Sequence, residues 1–240
     1  MTDLSDFGLV SQPRESHDPS GNGTLAPPDA LWWGVQVQTI DPERMDPYLA
    51  SVSDQEQALG DSEKFIGRLV LRSQRRPDRF WLIDAWTEQY AMESAAVALR
   101  TLSSVAGLVE APREVPTVQV PVGGARLALP GGEPRAPDAP LPFFLLAEAH
   151  VKPVCVDEYI SSQDAFTREL EEEPGFRARR LLRDVREPAH FITVDEWSSE
   201  RDAYEAFERR QNAVSEITMT RFLALLSERG ETDFALGVHG

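Results

Sequence analysis

The 240-residue chain is expected to be α+β: tandem ferredoxin-like β-α-β-β-α-β repeats packed sheet to sheet as a closed, pseudo-twofold α+β barrel. Three observations carry that expectation. The first is an internal repeat at a constant offset of 111 residues, seen without a gap where Pro42 recurs as Pro153, Asp46 as Asp157 and Tyr48 as Tyr159. In the same register Phe65 recurs as Phe176, Arg68 as Arg179, Pro77 as Pro188, Phe80 as Phe191, Asp84 as Asp195 and Trp86 as Trp197. Tryptophan and proline are uncommon, so their coincidence in one register marks a duplication. The second is that both copies give the same order of strand and helix patterns. The third is geometric: a four-stranded sheet with both helices on one face leaves its other face partly apolar. A second copy in the same chain can cover that face.

The elements follow in order. Residues 1–30 are rich in Ser, Pro, Gly, Asn and Asp, with too little apolar surface to offset ordering entropy, and read as an extended or disordered arm. A first domain spans 31–122. It opens with LWWGVQVQTI, where Val35 and Val37 alternate with Gln36 and Gln38 as in a half-buried strand. Asp41-Pro42 is a helix start with Asp as cap, and the helix runs to about Leu59. Strands over about 64–73 and 79–86 flank SQRRPDR, which carries the Pro and Asp that turns use. An Ala-rich helix follows Trp86 and ends near Gly107, and PTVQVPV (116–122) closes the set as an edge-type strand. Residues 123–142 are a Pro/Gly-rich linker. The second domain, 143–240, repeats the pattern: strand FFLLAEAHV, a helix from Val154 to about Glu172, strands over 175–184 and 190–197, a long helix over 199–229, and TDFALGV as last strand. The long helix is marked by Ala203, Phe207, Val214, Ile217, Phe222 and Leu226.

Composition bounds the function. A net charge of −16 and a pI of about 4.7 argue against a nucleic-acid footprint and against an anionic membrane surface. Cys155 is the only cysteine, so neither a disulfide framework nor a Cys-rich metal site is expected. No signal-peptide pattern and no apolar run of membrane-spanning length is visible, so the expected location is the cytoplasm. GxGxxG, P-loop, HExxH, CxxC and GxSxG patterns are all missing, which disfavours nucleotide-dependent and standard hydrolytic classes.

The second copy resembles the antibiotic biosynthesis monooxygenase (ABM) family. The likeness rests on Glu173-Pro-Gly-Phe176, then Pro188, Phe191 and the Asp195-x-Trp197-Ser pattern leading into a helix. The first copy keeps Pro77, Phe80, Asp84 and Trp86, but has Glu63-Lys64 where the second has Pro174-Gly175. The resemblance implies a dimeric α+β barrel with the usual two subunits fused. It also implies cofactor-independent oxygenation of an aromatic or quinol-like small molecule, with no cofactor and no metal. The partner would be a small aromatic molecule, and the assembly a monomer with an internal pseudo-dimer, or a homodimer. Many members carry a histidine on the second helix, where this chain has Ala95 and Ala206; no histidine occurs in 198–230. Haem-degrading members carry a Trp and a His on that helix, and neither copy does. Two further readings follow. One is a non-catalytic small-molecule-binding or scaffold protein that keeps the barrel. The other, weaker, is a haem-binding fused-barrel protein related to chlorite-dismutase-like enzymes, with His150 or His190 as ligand.

Each candidate residue has a plain structural reading beside the functional one. His150, on a first strand, could be a base poised near neutral pH, or a strand-end histidine; its counterpart is Thr39. Asp195 shares a strand face with Trp197 and could accept a phenolic proton, or pair with an arginine, for which Arg183 and, in the first copy, Arg72 are available. Trp197, with Trp86, is a core aromatic or a wall on which a flat substrate stacks. Tyr159, Phe191 and Arg183 complete the expected substrate-binding set beside catalytic His150 and Asp195. The expected site lies in the second copy, which alone has the first-strand histidine and the Pro-Gly. Cys155, near a helix start, is expected to be a bystander.

Overall fold

A computed structural model describes residues 31–106, 108–122, 142–213 and 223–238. The first half runs β1 (Trp32–Ile40), α1 (Met45–Gly60), β2 (Phe65–Ser73), β3 (Arg79–Trp86), α2 (Gln89–Ala106) and β4 (Val109–Val120). The second runs β5 (Phe143–Val151), α3 (Val156–Leu170), β6 (Phe176–Asp184), β7 (His190–Trp197), α4 (Glu200–Ala213) and β8 (Leu226–Gly237). The strands close one antiparallel barrel in the order β1-β3-β2-β8-β5-β7-β6-β4. Each half is a ferredoxin-like sheet, and the halves join at two hydrogen-bonded seams. At one, Leu71 lies opposite Gly237 and Ser73 opposite Ala235; at the other, Thr117 lies opposite Asp184 and Val120 opposite Leu181.

Two faces of the sheet do two jobs. Trp33, Val35, Leu71, Trp81, Ile83, Phe144, Leu146, Leu182, Ile192 and Val194 point inward and fill the barrel. The alternate residues face the helices. Phe80 and Leu82 pack on Tyr48 and Val52 of α1, and Leu181 and Phe191 on Val156 and Tyr159 of α3. Trp86 meets Leu59, Met92 and Leu99; Trp197 meets Leu170, Ala203 and Ala206. Each fully buried large apolar side chain contributes about 1.5–3 kcal/mol, so the repeated aromatics are the anchors of both halves.

Local chemistry explains the helix and turn boundaries. Asp41 Oδ1 accepts from the Glu43 amide at 3.0 Å, capping a short 3-10 turn ahead of α1. Gly175 sits at φ 80°, and a Cβ there would meet the Asp202 side chain. Asp202 is itself engaged, taking a 2.7 Å hydrogen bond from Ser199 Oγ, while its amide donates back to that hydroxyl at the start of α4.

Three sequence expectations need correction. Gln36 and Gln38 are buried rather than solvent-facing: Tyr48 Oη donates to Gln38 Oε1 and Gln38 Nε2 to Gln36 Oε1, both at 2.9 Å. The last strand starts at Leu226, where a helix running to 229 was expected. Backbone pairing with β5, Val151 opposite Leu226 and His150 opposite Glu228, overrides the helical pattern there. Strand β4 starts at Val109, well ahead of 116, because it pairs along the length of β1. The arm (1–30), most of the linker, and Val214, Ile217 and Phe222 lie outside the described residues.

Candidate functional site

The expected catalytic and substrate-binding residues do not form one constellation. His150 lies opposite His190 on β7 and faces the barrel interior, whereas Asp195, Trp197, Tyr159 and Phe191 face the helices. The pleat places them on opposite faces of the same sheet. Trp197 and Phe191 are fully buried, and Tyr159 and Asp195 nearly so. They are packed core.

The aspartates are paired, though not with the arginines expected. In the hairpin register Arg68 is opposite Asp84 and Arg179 opposite Asp195, while Arg72 and Arg183 are opposite Phe80 and Phe191. Arg183 Nε donates to the Pro188 carbonyl at 2.7 Å and its guanidinium covers the Phe191 ring; Arg72 does the same with Pro77 and Phe80. Both arginines tie down turns. Arg68 grips Asp84 through two bonds, Nε to Oδ1 at 2.6 Å and Nη2 to Oδ2 at 2.8 Å. The second copy has loosened this grip. Arg179 reaches Asp195 Oδ2 with Nη1 at 3.3 Å and gives Nη2 to Gln163 Oε1 at 2.5 Å. Asp195 Oδ1 is buried without a hydrogen bond, and burial holds its carboxyl above the usual range against the pull of Arg179 and Arg180.

Open space lies in the other half. A cleft of about 270 Å³ runs between the outer face of β1 and β4 and helix α2. Gly34, Met92, Ala96, Val97 and Pro116 give it an apolar wall, and Gln36, Glu93, Glu114 and Arg186 bring polar groups to it. Arg186 comes from the β6–β7 turn, so both halves build the cleft.

Comparing the copies explains why the cleft is there. Gly34 lies opposite Asp84 and Pro116; the matching strand position in the second half, opposite Asp195 and Phe234, is Leu145. On the helices, Glu93 and Ala96 correspond to Tyr204 and Phe207, and Arg186 to Arg75. The larger residues fill the space: Tyr204 packs on Phe234 at 5.6 Å between ring centroids, and Arg75 covers Phe234 at 4.6 Å. The expectation of a second-copy pocket placed it in the half where these side chains occupy the equivalent volume. The difference was visible in the sequence as Gly against Leu and Ala against Phe at matched positions.

A second polar cluster closes one end of the barrel interior. The His150 and His190 rings stack at 4.4 Å and 7°. His190 Nδ1 is 3.1 Å from Asp184 Oδ2, its Nε2 is 3.6 Å from Glu148 Oε2, and His150 Nδ1 is 3.5 Å from Glu187. Arg113 grips Glu148 through Nη1 and Nη2. Burial would lower the His190 pKa, but the hydrogen bond with Asp184 and the negative charges of Glu148 and Asp184 outweigh it and raise it to about 9. Burial would raise Glu148; His190 and Arg113 bring it down to about 2. A porphyrin does not fit here: His190 is 4% exposed, with Asp184 3.1 Å and Glu148 3.6 Å from its ring nitrogens and the His150 ring 4.4 Å from its face.

The family model for antibiotic biosynthesis monooxygenase matches residues 142–213. This segment, with its β-α-β-β-α core, is an ABM domain. Residues 142–213 belong to the ABM family. The first half repeats that fold at the 111-residue offset, and solved structures extend the likeness to most of the chain. A candidate monooxygenase from Fusobacterium nucleatum subsp. nucleatum aligns over 88% of this chain and 93% of its own, with a TM-score of 0.67 at 9% identity. An anthrone oxidase-like protein aligns over 88% and 92%, with a TM-score of 0.67 at 18% identity. A candidate chlorite dismutase aligns over 88% and 95%, with a TM-score of 0.58 at 9% identity. At such identities these likenesses establish the fold: a fused ABM-type barrel. No curated protein matches the chain by sequence. Among the described residues no helix is long and apolar enough to cross a membrane.

Proposed function

We propose that the chain is an ABM-type monooxygenase that oxygenates an aromatic or quinol-like small molecule without a cofactor, in the cleft between β1, β4 and α2. The observation that carries this reading is the cleft itself: an apolar slot with a few convergent polar groups, kept open in one half and filled in the other. A flat substrate would lie against Met92, Ala96 and Pro116. A carboxylate at the rim, Glu93 or Glu114, takes a proton from a phenol or anthrone carbon, and the Arg186 guanidinium offsets the charge of the resulting anion. That anion gives electrons to molecular oxygen. The oxygen bonds to carbon as a hydroperoxide, and loss of the remaining carbon-bound hydrogen with cleavage of the O–O bond yields a carbonyl and water. The sum is one CH2 and one O2 converted to one C=O and one H2O. Oxygen uptake by chelator-treated protein, measured against a panel of anthrones, quinols and flavonols, tests the reaction. Uptake that survives chelation supports it, and no uptake with any panel member rejects it.

One observation favours a second reading, a non-catalytic small-molecule binder. Neither described histidine borders the cleft, so a base tuned near neutral pH is missing from its lining. Saturable binding without oxygen uptake would select this reading.

A further inference from the structure

The polar end of the barrel is on the opposite face of the sheet from the cleft, and the reaction above makes no use of it. We propose that His150, His190 and Glu148 form a site for one divalent transition-metal ion of the imidazole-preferring kind, such as zinc or cobalt. Donor atoms from the three residues lie within 4.8 Å of one another. Side-chain rotation closes such a spacing to about 3.4 Å, the edge of a tetrahedron with arms of about 2.1 Å.

Four features go beyond proximity. His190 is 4% exposed and its Nε2 has no hydrogen-bond partner, while Glu148 Oε2 lies 3.6 Å away. The other ring nitrogen, Nδ1, is held by Asp184 Oδ2 at 3.1 Å, the carboxylate support that orients metal-binding imidazoles. Arg113 holds the Glu148 carboxylate by both oxygens, and the backbone aims it: the β5–β8 register shifts between Ala147 and Ala149. There β8 passes so close that a Cβ on Gly230 would strike the Glu148 carbonyl. Finally, charge and access agree. With both imidazoles neutral, as ligands must be, Glu148, Asp184 and Glu187 against Arg113 leave two negative charges, which one divalent ion balances. His150 is 31% exposed on its side chain, so an ion has a way in from solvent.

The duplication isolates the site in one half. The positions of Glu148, His150, Asp184 and His190 correspond to Val37, Thr39, Ser73 and Arg79 in the first copy. Two imidazoles and one carboxylate select zinc, cobalt or nickel over magnesium and calcium, which take oxygen ligands.

The test uses the full chain carrying His17→Ala and His239→Ala, so that His150 and His190 are the only histidines left. After chelation and dialysis, cobalt(II) is titrated by its visible absorbance and zinc by calorimetry, with magnesium as control. One ion per chain is expected for cobalt and zinc, with no magnesium uptake. Asp184→Asn, which leaves the three ligands in place, should weaken binding about 10- to 100-fold. His150→Ala, a partly exposed position, should abolish the cobalt spectrum while leaving the metal-free melting temperature near that of the parent. His190→Ala should also bind none, but it removes a buried group, so His150→Ala decides if that variant fails to fold. Sub-stoichiometric cobalt binding by the parent, or equal binding by a folded His150→Ala, would overturn the proposal.

Discussion

The loosened grip of Arg179 on Asp195 leads to an unequal response to the same substitution in the two copies. In the first copy, Asp84→Ala leaves the Arg68 guanidinium buried, with side chains 0% and 4% exposed across the pair and two short bonds lost. Removing one partner of such a pair costs about 3–5 kcal/mol, because a desolvated charge loses its counter-ion. For a chain of this size that is about 6–20 °C of melting temperature. Gln55, reached at 3.3 Å, is a weak substitute. In the second copy Arg179 gives up a single 3.3 Å bond and keeps Gln163 and the face of Phe166. Asp195→Ala also removes a carboxyl that burial already disfavours as an anion. Its loss should be about 2 kcal/mol or less, the worth of one charged hydrogen bond. Thermal melts of both variants, followed by circular dichroism, measure the difference. A third variant, Asp84→Ala with Arg68→Met, removes the stranded charge and should recover more than half of the Asp84→Ala loss. Equal losses at the two positions, or no recovery in the double variant, would refute this reading of the pairs.

Two further outcomes follow from burial and backbone geometry. Tyr48 and Tyr159 are buried while Tyr90 and Tyr204 are exposed; burial pushes Tyr159 up to about 12 against the pull of Arg179, and Tyr48 higher still. Both folded values exceed the unfolded value of 10.0, so stability falls as pH rises from 10 toward 12, because the unfolded chain releases protons that the folded chain keeps. An absorbance titration should show Tyr48 and Tyr159 keeping their protons until the chain unfolds; their ionisation near 10 in folded protein would contradict the burial. At Gly175, with φ 80° and Asp202 where a Cβ would go, Gly175→Ala should cost about 1–3 kcal/mol; an unchanged melting temperature would show that the turn has another conformation open to it.

What could be read from the sequence was set by residue type and local period. The tryptophans, the Pro-bearing turns and the 111-residue offset fixed the elements and the closed barrel because they are rare residues in a constant register. The arginine partners were within reach of the same reasoning. Counting back equally along both strands from the Arg72–Phe80 position leads to Arg68 opposite Asp84, a step the spacing permits and residue type alone does not suggest. The start of β8 was hidden because Leu226 continues the apolar row of the expected helix and SERGE after it is polar, and only pairing with β5, distant in the chain, makes it a strand. The His150–His190 contact depends on that same non-local register: the pair is separated by α3 and β6, and no local period brings them together. The cleft is a difference between copies, carried by the side chains that are small.

The most direct measurement is equilibrium binding of the aromatic panel to native protein, Gly34→Leu and Asp195→Asn, followed by tryptophan fluorescence. Gly34→Leu installs the second half's own residue, and the Cβ it adds makes an ordinary 3.6 Å contact with Met92 before the rest of the side chain enters the cleft. One ligand per native chain is expected, weakened at least about tenfold by Gly34→Leu and unchanged by Asp195→Asn. Native-like affinity in Gly34→Leu, with binding lost in Asp195→Asn, would place the ligand in the second half and contradict the assignment of the cleft.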